Sequence, residues 1–243
     1  MTRVEAGSAI FEVDAIAFDK DGTLVDLDAV WGPAGRAWVA TAAAGDDELE
    51  AILADRLGLD LVTGRLVPGG MIAVGSVNQI HEATLAILTE QGVEKEESQS
   101  LAKAARSTAV MAADAQGQVP LGDVAGTLMR LQEAGLRLAV VSSDNRAAVD
   151  AAILALGIRS LIDAVVAGDD GFDAKPAPDA LLEAARRLGV EPNQMLYVGD
   201  SWVDAGAGRA AGIAGTVLVG EPTAEARGLA SVVVPGVDSL RVV

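Results

Sequence analysis

The pattern of apolar and polar positions changes character twice along the chain. Val13–Asp19 (VDAIAFD) is a short, largely apolar run that ends in polar and glycine residues, which predicts a buried strand. From about Leu27 to Val119 apolar positions recur at helical spacing and no strand is evident. Val77, Ile80, Thr84, Leu85 and Leu88 fall on one helical face; Leu101, Ala104, Ala105, Thr108, Met111 and Ala112 fall on another. Glycines and Pro68 punctuate this block. After Pro120 a different regime begins. Val124, Leu128 and Leu131 mark a helix that stops at Gly135. Strands are predicted at Leu136–Ser142, Ile162–Ala167, Met195–Val198, Thr216–Val219 and Val232–Val234. Helices are predicted between them, to about Leu156, over Ala177–Leu188 and over Ser201–Ala211.

Strands alternating with helices through short links imply a parallel sheet covered on both faces. The expectation is an α/β, Rossmann-like core made of residues 1–26 and 120–243, interrupted by an all-helical insert at residues 27–119.

Composition narrows the partners. The chain is 51% hydrophobic but only 3% aromatic, so its core must be built from Ala, Val, Leu and Ile. Thirty-five acids against 18 bases leave a net charge of −17, which repels phosphate backbones and anionic membranes. Nucleic acid and membranes are therefore not expected partners. With no cysteine there is no disulfide, thiolate metal site or Cys nucleophile. The first residues, MTRVEAGSAIFEVD, lack the apolar stretch of a signal peptide, and no run approaches the ~18 apolar residues of a membrane helix. A cytoplasmic location is expected.

Charge makes one short stretch puzzling. FDKDGTLVD, Phe18–Asp26, sets Asp19 and Asp21 two residues apart straight after an apolar run. In open parallel sheets, ligands bind outside the carboxyl ends of the strands. The predicted strands bring Asp19, Asp21, Ser142, Lys175, Asp200 and Asp204 to that edge. Such a cluster of carboxylates calls for a cation, and hard oxygen ligands without His or Cys select Mg²⁺. Lys175 and the Ser142 hydroxyl suit a phosphate, with backbone N–H donors from Gly22 and Thr23. One carboxylate of the pair would then attack phosphorus while the other handles the proton of the leaving oxygen.

FDKDGTL, VVSS, AKPAPD and VGDSWVD, in this order, resemble the four signature motifs of the haloacid dehalogenase superfamily. The insert after the first motif resembles the helical cap of its C1 subgroup, which includes enzymes similar to phosphoglycolate phosphatase and β-phosphoglucomutase. The resemblance implies a Mg²⁺-dependent phosphatase with Asp19 as nucleophile, forming an aspartyl-phosphate, and Asp21 as general acid and then base. It further implies that Ser142, Ser143 and Lys175 surround the phosphoryl group. Asp19, the Asp21 carbonyl and Asp200 would hold Mg²⁺, and Asp204 would ligate it or orient a ligand. The substrate would be a small phosphorylated metabolite, phosphoglycolate or a sugar phosphate, selected by a cap that closes over it. Three departures stand out: Lys20 between the acids, Ala174 in place of the Gly common before Lys-Pro, and Ser143 where Asn is common. Dehalogenases of the superfamily lack the second aspartate, so Asp21 argues against dehalogenation. A sugar phosphomutase, a phosphonate hydrolase and a non-catalytic binding module are the competing readings.

Blander assignments exist for single residues. Ser142 alone reads as a helix N-cap, which is compatible with phosphate contact. Asp19 does not open a calcium loop, because Leu24 and Val30 stand where Gly and Glu are required. Gly206, Gly208 and Gly212 fall inside a helix and read as close packing. His81 reads as a packed residue or a substrate contact, Trp31 and Trp38 as cap core, and Arg65 as a solvated loop residue.

Overall fold

A computed structural model describes all residues, 1–243. The chain divides into two units, Met1–Asp26 with Gln118–Val243, and Leu27–Gly117. The first unit begins with β1 (Thr2–Ala6), β2 (Ala9–Val13) and β3 (Ala15–Phe18). The second holds α1 (Leu27–Ala43), α2 (Asp47–Leu57), α3 (Met71–Val74), α4 (Val77–Glu90) and α5 (Lys95–Gln116). The first unit then resumes with α6 (Val124–Glu133), β4 (Arg137–Val141), α7 (Arg146–Ala155), β5 (Ala164–Val166) and α8 (Asp179–Leu188). It ends with β6 (Met195–Gly199), α9 (Trp202–Ala211), β7 (Gly215–Val219), α10 (Ala224–Leu229), β8 (Val232–Val234) and β9 (Leu240–Val242). No helix is long and apolar enough to cross a membrane.

Six strands form a parallel sheet in the order β5-β4-β3-β6-β7-β8. Successive side chains of a strand point to opposite faces, and the central strands show both faces filled. Ile16, Phe18, Leu138, Val140, Leu196 and Val198 pack against Val124 and Leu128 of α6 and Val149 and Ile153 of α7. Ala15, Ala17, Ala139, Val141, Met195 and Tyr197 pack against Leu181, Ala184 and Leu188 of α8 and Ala207 of α9. The alanines let α8 and α9 lie close to the sheet, consistent with a core short of aromatics. β3 lies between β4 and β6, with Phe18 paired to both Val140 and Val198. The carboxyl ends of these strands are therefore level, at the point where the connections diverge to either side of β3. That is the place where this class of sheet binds ligands.

Three strands lie outside the alternation. β1 and β2 form a hairpin, and β9 pairs antiparallel with β1, giving the order β2-β1-β9. The expected strand over Val13–Asp19 is in fact the end of β2, a break at Asp14, and β3. Val4, Ala6, Val13 and Leu240 join the main core, so this small sheet closes one side of it.

In the helical unit, α1 packs along α5. The buried residues of α5 are Ser98, Ala102, Ala105, Ala109 and Ala113, which share only Ala105 with the expected stripe, and Met111 is 72% exposed. Small side chains allow α1 and α5 to approach closely, so the alanine face is the packed one. Trp38 is buried and donates to Thr84 Oγ1 at 2.9 Å. His81 is half-buried, with no partner at Nδ1. Arg65 pairs with Asp28 at 3.0 Å.

Candidate active site

The end of β3 delivers Asp19, whose amide donates to Val198 O at 2.8 Å. The chain then turns sharply: Leu24 N and Val25 N both donate to Lys20 O, and Gly22 N donates to Val25 O. The Gly22 amide therefore serves the turn itself. Its role is steric, because φ is +75° and a Cβ there would collide with the Asp200 carboxylate. The Thr23 hydroxyl is fully buried without a hydrogen-bond partner. The Asp21 carbonyl accepts no hydrogen bond within the turn.

Lys175 is the hub. Its Nζ lies 2.5 Å from Asp19 Oδ1, 2.6 Å from Asp204 Oδ1 and 3.1 Å from Tyr197 Oη. Tyr197 in turn donates to Asp204 Oδ1 at 3.0 Å. The second Asp204 oxygen accepts from the Ser201 and Asp200 amides and from the Ser201 hydroxyl. Both oxygens of Asp204 are thus taken by protein donors. Burial favours its neutral form, yet the charge and hydrogen bond of Lys175, with the Ser201 and Tyr197 hydroxyls, hold its carboxyl below the usual range. Burial, reinforced by Asp204, keeps the Tyr197 phenol protonated far above its ordinary range.

Asp200 is in the opposite situation. Its carboxylate accepts no hydrogen bond and has no ion pair, although one oxygen from each of Asp19, Asp200 and Asp204 lies within 4.8 Å of the others. Burial, then the charges of Asp204 and Asp19, push its carboxyl well above the usual range. Burial also pushes the Asp19 carboxyl up to about 7 against the pull of Lys175, with Asp204 and Asp21 adding to the rise. Lys175 alone does not balance these acids. An all-oxygen set of this kind fits a hard divalent cation. Asp19, Asp200 and the Asp21 carbonyl are candidates to hold it, and Asp204 lies in the same group.

Ser142 follows β4 and is buried. It does not cap α7: Asn145 does, accepting from Ala148 N at 3.0 Å. The Ser142 hydroxyl instead accepts from Asp144 N at 3.1 Å and retains its own proton for another acceptor. Ser143 is half-buried in the same turn and its side chain makes no hydrogen bond. Asp21, with 21% of its side chain exposed, is paired by Lys20 Nζ at 2.7 Å, and the same ammonium lies 2.9 Å from Asp144. Burial raises the Asp21 carboxyl; Lys20 opposes and Asp144 adds to the rise.

The structure therefore brings Asp19, Lys175, Asp200 and Asp204 into one cluster at the strand ends, with Asp21 beside it. Tyr197, Ser201, Lys20 and Asp144 belong to the same network and were not expected there. Two of them carried a signal. Tyr197 is the only tyrosine in the chain and sits in an otherwise apolar strand, where a buried hydroxyl requires a partner. Ser201 and Asp204 have the spacing of a capping box.

Known proteins resemble the chain in sequence and in fold. A stretch of 89 residues is 45% identical to phosphoglycolate phosphatase of Escherichia coli K12, covering 37% of this chain and 35% of that protein. The match thus spans about a third of the curated relative's length. Among solved structures, a hydrolase of Deinococcus radiodurans R1 with bound phosphate and sodium superposes with a TM-score of 0.64 at 23% identity, covering 93% of each chain. β-Phosphoglucomutase of Clostridium difficile superposes at 0.62 with 19% identity, covering 93% of this chain and 92% of its own. The model of one hydrolase family runs through residues 13–212, from the strand before Asp19 to beyond Asp204. On that span the chain belongs to the haloacid dehalogenase-like hydrolases.

Proposed function

We propose that this chain hydrolyses a small phosphomonoester, of the phosphoglycolate or sugar-phosphate kind, through an aspartyl-phosphate on Asp19. The observation that carries this reading is Lys175 held between Asp19 and Asp204 next to the unpaired Asp200. One buried lysine then serves a carboxylate nucleophile and the incoming phosphoryl group. The sequence relative named a phosphoglycolate phosphatase supports the substrate class.

Mg²⁺, held by Asp19, Asp200 and the Asp21 carbonyl, would supply the positive charge that a phosphate dianion needs in an acidic site. Asp204, saturated by its own donors, keeps Lys175 in place. Lys175 fixes one Asp19 oxygen and leaves the other free to attack phosphorus. As that bond forms, the bond from phosphorus to the ester oxygen breaks, and the departing oxygen takes the proton of Asp21. Asp21, now ionised, removes a proton from water, whose oxygen attacks the same phosphorus. Inorganic phosphate leaves and the Asp19 carboxylate is restored. Ser142, through its free hydroxyl proton, and the Thr23 amide orient the phosphoryl oxygens.

The test is release of inorganic phosphate from p-nitrophenyl phosphate and from phosphoglycolate in the presence of Mg²⁺. Asp19→Asn is expected to abolish both, and rapid quench with labelled substrate is expected to place the label on Asp19. Normal turnover by the Asp19→Asn variant would sink the reading. Conversion of a sugar 1-phosphate to the 6-phosphate without free phosphate would instead make the enzyme a mutase.

A further inference from the structure

Lys20 is 4% exposed, although it stands in the turn that carries both acids. Its ammonium lies 2.7 Å from Asp21 Oδ1 and 2.9 Å from Asp144 Oδ2. Asp144 is itself fixed: its amide donates to Ser142 Oγ, and its carbonyl accepts from Gly168 N at 2.7 Å. Gly168 admits no side chain, since a Cβ there would run into Ser143 O. A continuous polar chain therefore runs from Asp21 through Lys20 and Asp144 to Ser142, joining the loop after β3 to the loop after β4. A buried ion pair is weak support for stability, because an apolar side chain of similar volume does as well or better. What it does supply is a fixed orientation.

We propose that Lys20 is a positioning residue for Asp21. By occupying Oδ1 it leaves Oδ2 as the oxygen that gives and takes the proton, and its tie to Asp144 sets that oxygen relative to the Ser142 hydroxyl that orients the phosphoryl group. The proposal rests on the hydrolase reading above, with Asp21 as proton donor. Its signature is sensitivity to the leaving group. An alkoxide needs a proton as it departs, whereas p-nitrophenolate leaves unaided.

The experiment compares kcat/KM for β-glycerophosphate and p-nitrophenyl phosphate, which reports the step that phosphorylates Asp19. Lys20→Met is expected to lose about 10²-fold on β-glycerophosphate and less than about tenfold on p-nitrophenyl phosphate. Lys20→Arg should recover most of the difference. Because Lys20→Met leaves two acids facing each other, Asp144→Asn is measured alongside it. That variant keeps the Lys20–Asp21 pair but removes the charge that anchors it, and the same imbalance is expected at about tenfold. If Lys20→Met fails to fold, Asp144→Asn decides alone. Equal losses on the two substrates, or no loss on either, would overturn the proposal while leaving the hydrolase reading intact. Failure of the wild-type protein to turn over either substrate, or activity in Asp19→Asn, would bring down that reading and the proposal with it.

Discussion

Asp200 is the acid with least to hold it, and its behaviour is the direct test of a bound cation. Its carboxylate faces Asp19 and Asp204 with no donor of its own. Mg²⁺ at about a hundredfold above its Kd is expected to raise the melting temperature by roughly 5–10 °C. Asp200→Asn should abolish that rise and leave the metal-free protein at least as stable, since it removes a repulsive charge. Thermal melts with and without Mg²⁺ check both, and a full rise in the variant would place the ion elsewhere. At this scale the sequence was legible wherever an acid or lysine stood at a predicted strand end, as with Asp19, Lys175 and Asp200. It was not legible where function depends on who pairs with whom. Lys20 looks like a surface lysine until the fold brings Asp144 to it, and nothing in the sequence shows that Lys175, Tyr197 and Ser201 all converge on Asp204.

Helices show the same division between pattern and partner. On α8, Glu183 receives hydrogen bonds from Arg186 at 2.7 and 2.8 Å and from Arg187 at 2.7 Å, and these hold its carboxyl at about 2, below its ordinary 4.5. A lowered folded-state value contributes stability that is fully present above pH 4.5 and is lost as pH falls from there towards 2. Solvent screening at the exposed arginines keeps the effect small, so Glu183→Gln should lower the melting temperature by only about 1–3 °C at pH 7. The gap should narrow below pH 4.5 and close only towards pH 2, and a gap of constant size across that range would contradict the assignment. Period-3.6 reasoning located α4 and α5 but chose the wrong face of α5. Hydrophobicity favours Leu101 and Met111, whereas close packing against α1 selects the alanines. Similarly, Ser142 was compatible with capping on composition alone, and the cap is supplied three residues later by Asn145.

At the level of the molecule, the parallel sheet was readable because its central strands are apolar on both faces, a pattern few other structures produce. The β2-β1-β9 sheet was not, because β1 and β9 are short, partly exposed and paired across almost the whole sequence. Within the first unit, Asp26 N donates to Val119 O at 2.8 Å and Leu121 N to Leu24 O at 3.0 Å, so the two segments flanking the helical unit run side by side. Joining residue 26 to residue 118 through a short Gly-Ser link is therefore expected to give a core that melts in one cooperative transition. A chain that stays unfolded by circular dichroism would show that the core depends on the helices.

The same sheet order has a consequence for how the chain is made. β3, the strand that presents Asp19, leaves the ribosome well before either of its hydrogen-bonding neighbours, which lie far downstream, at Arg137–Val141 and Met195–Gly199. At roughly 5–20 residues per second the apolar strand waits on the order of ten seconds for the first neighbour and longer for the second. The helices that emerge in the interval find their partners among themselves, with α1 along α5, before β4 is made. The nascent β3 has no such recourse, so the period of greatest exposure to misassociation falls on the segment that presents Asp19.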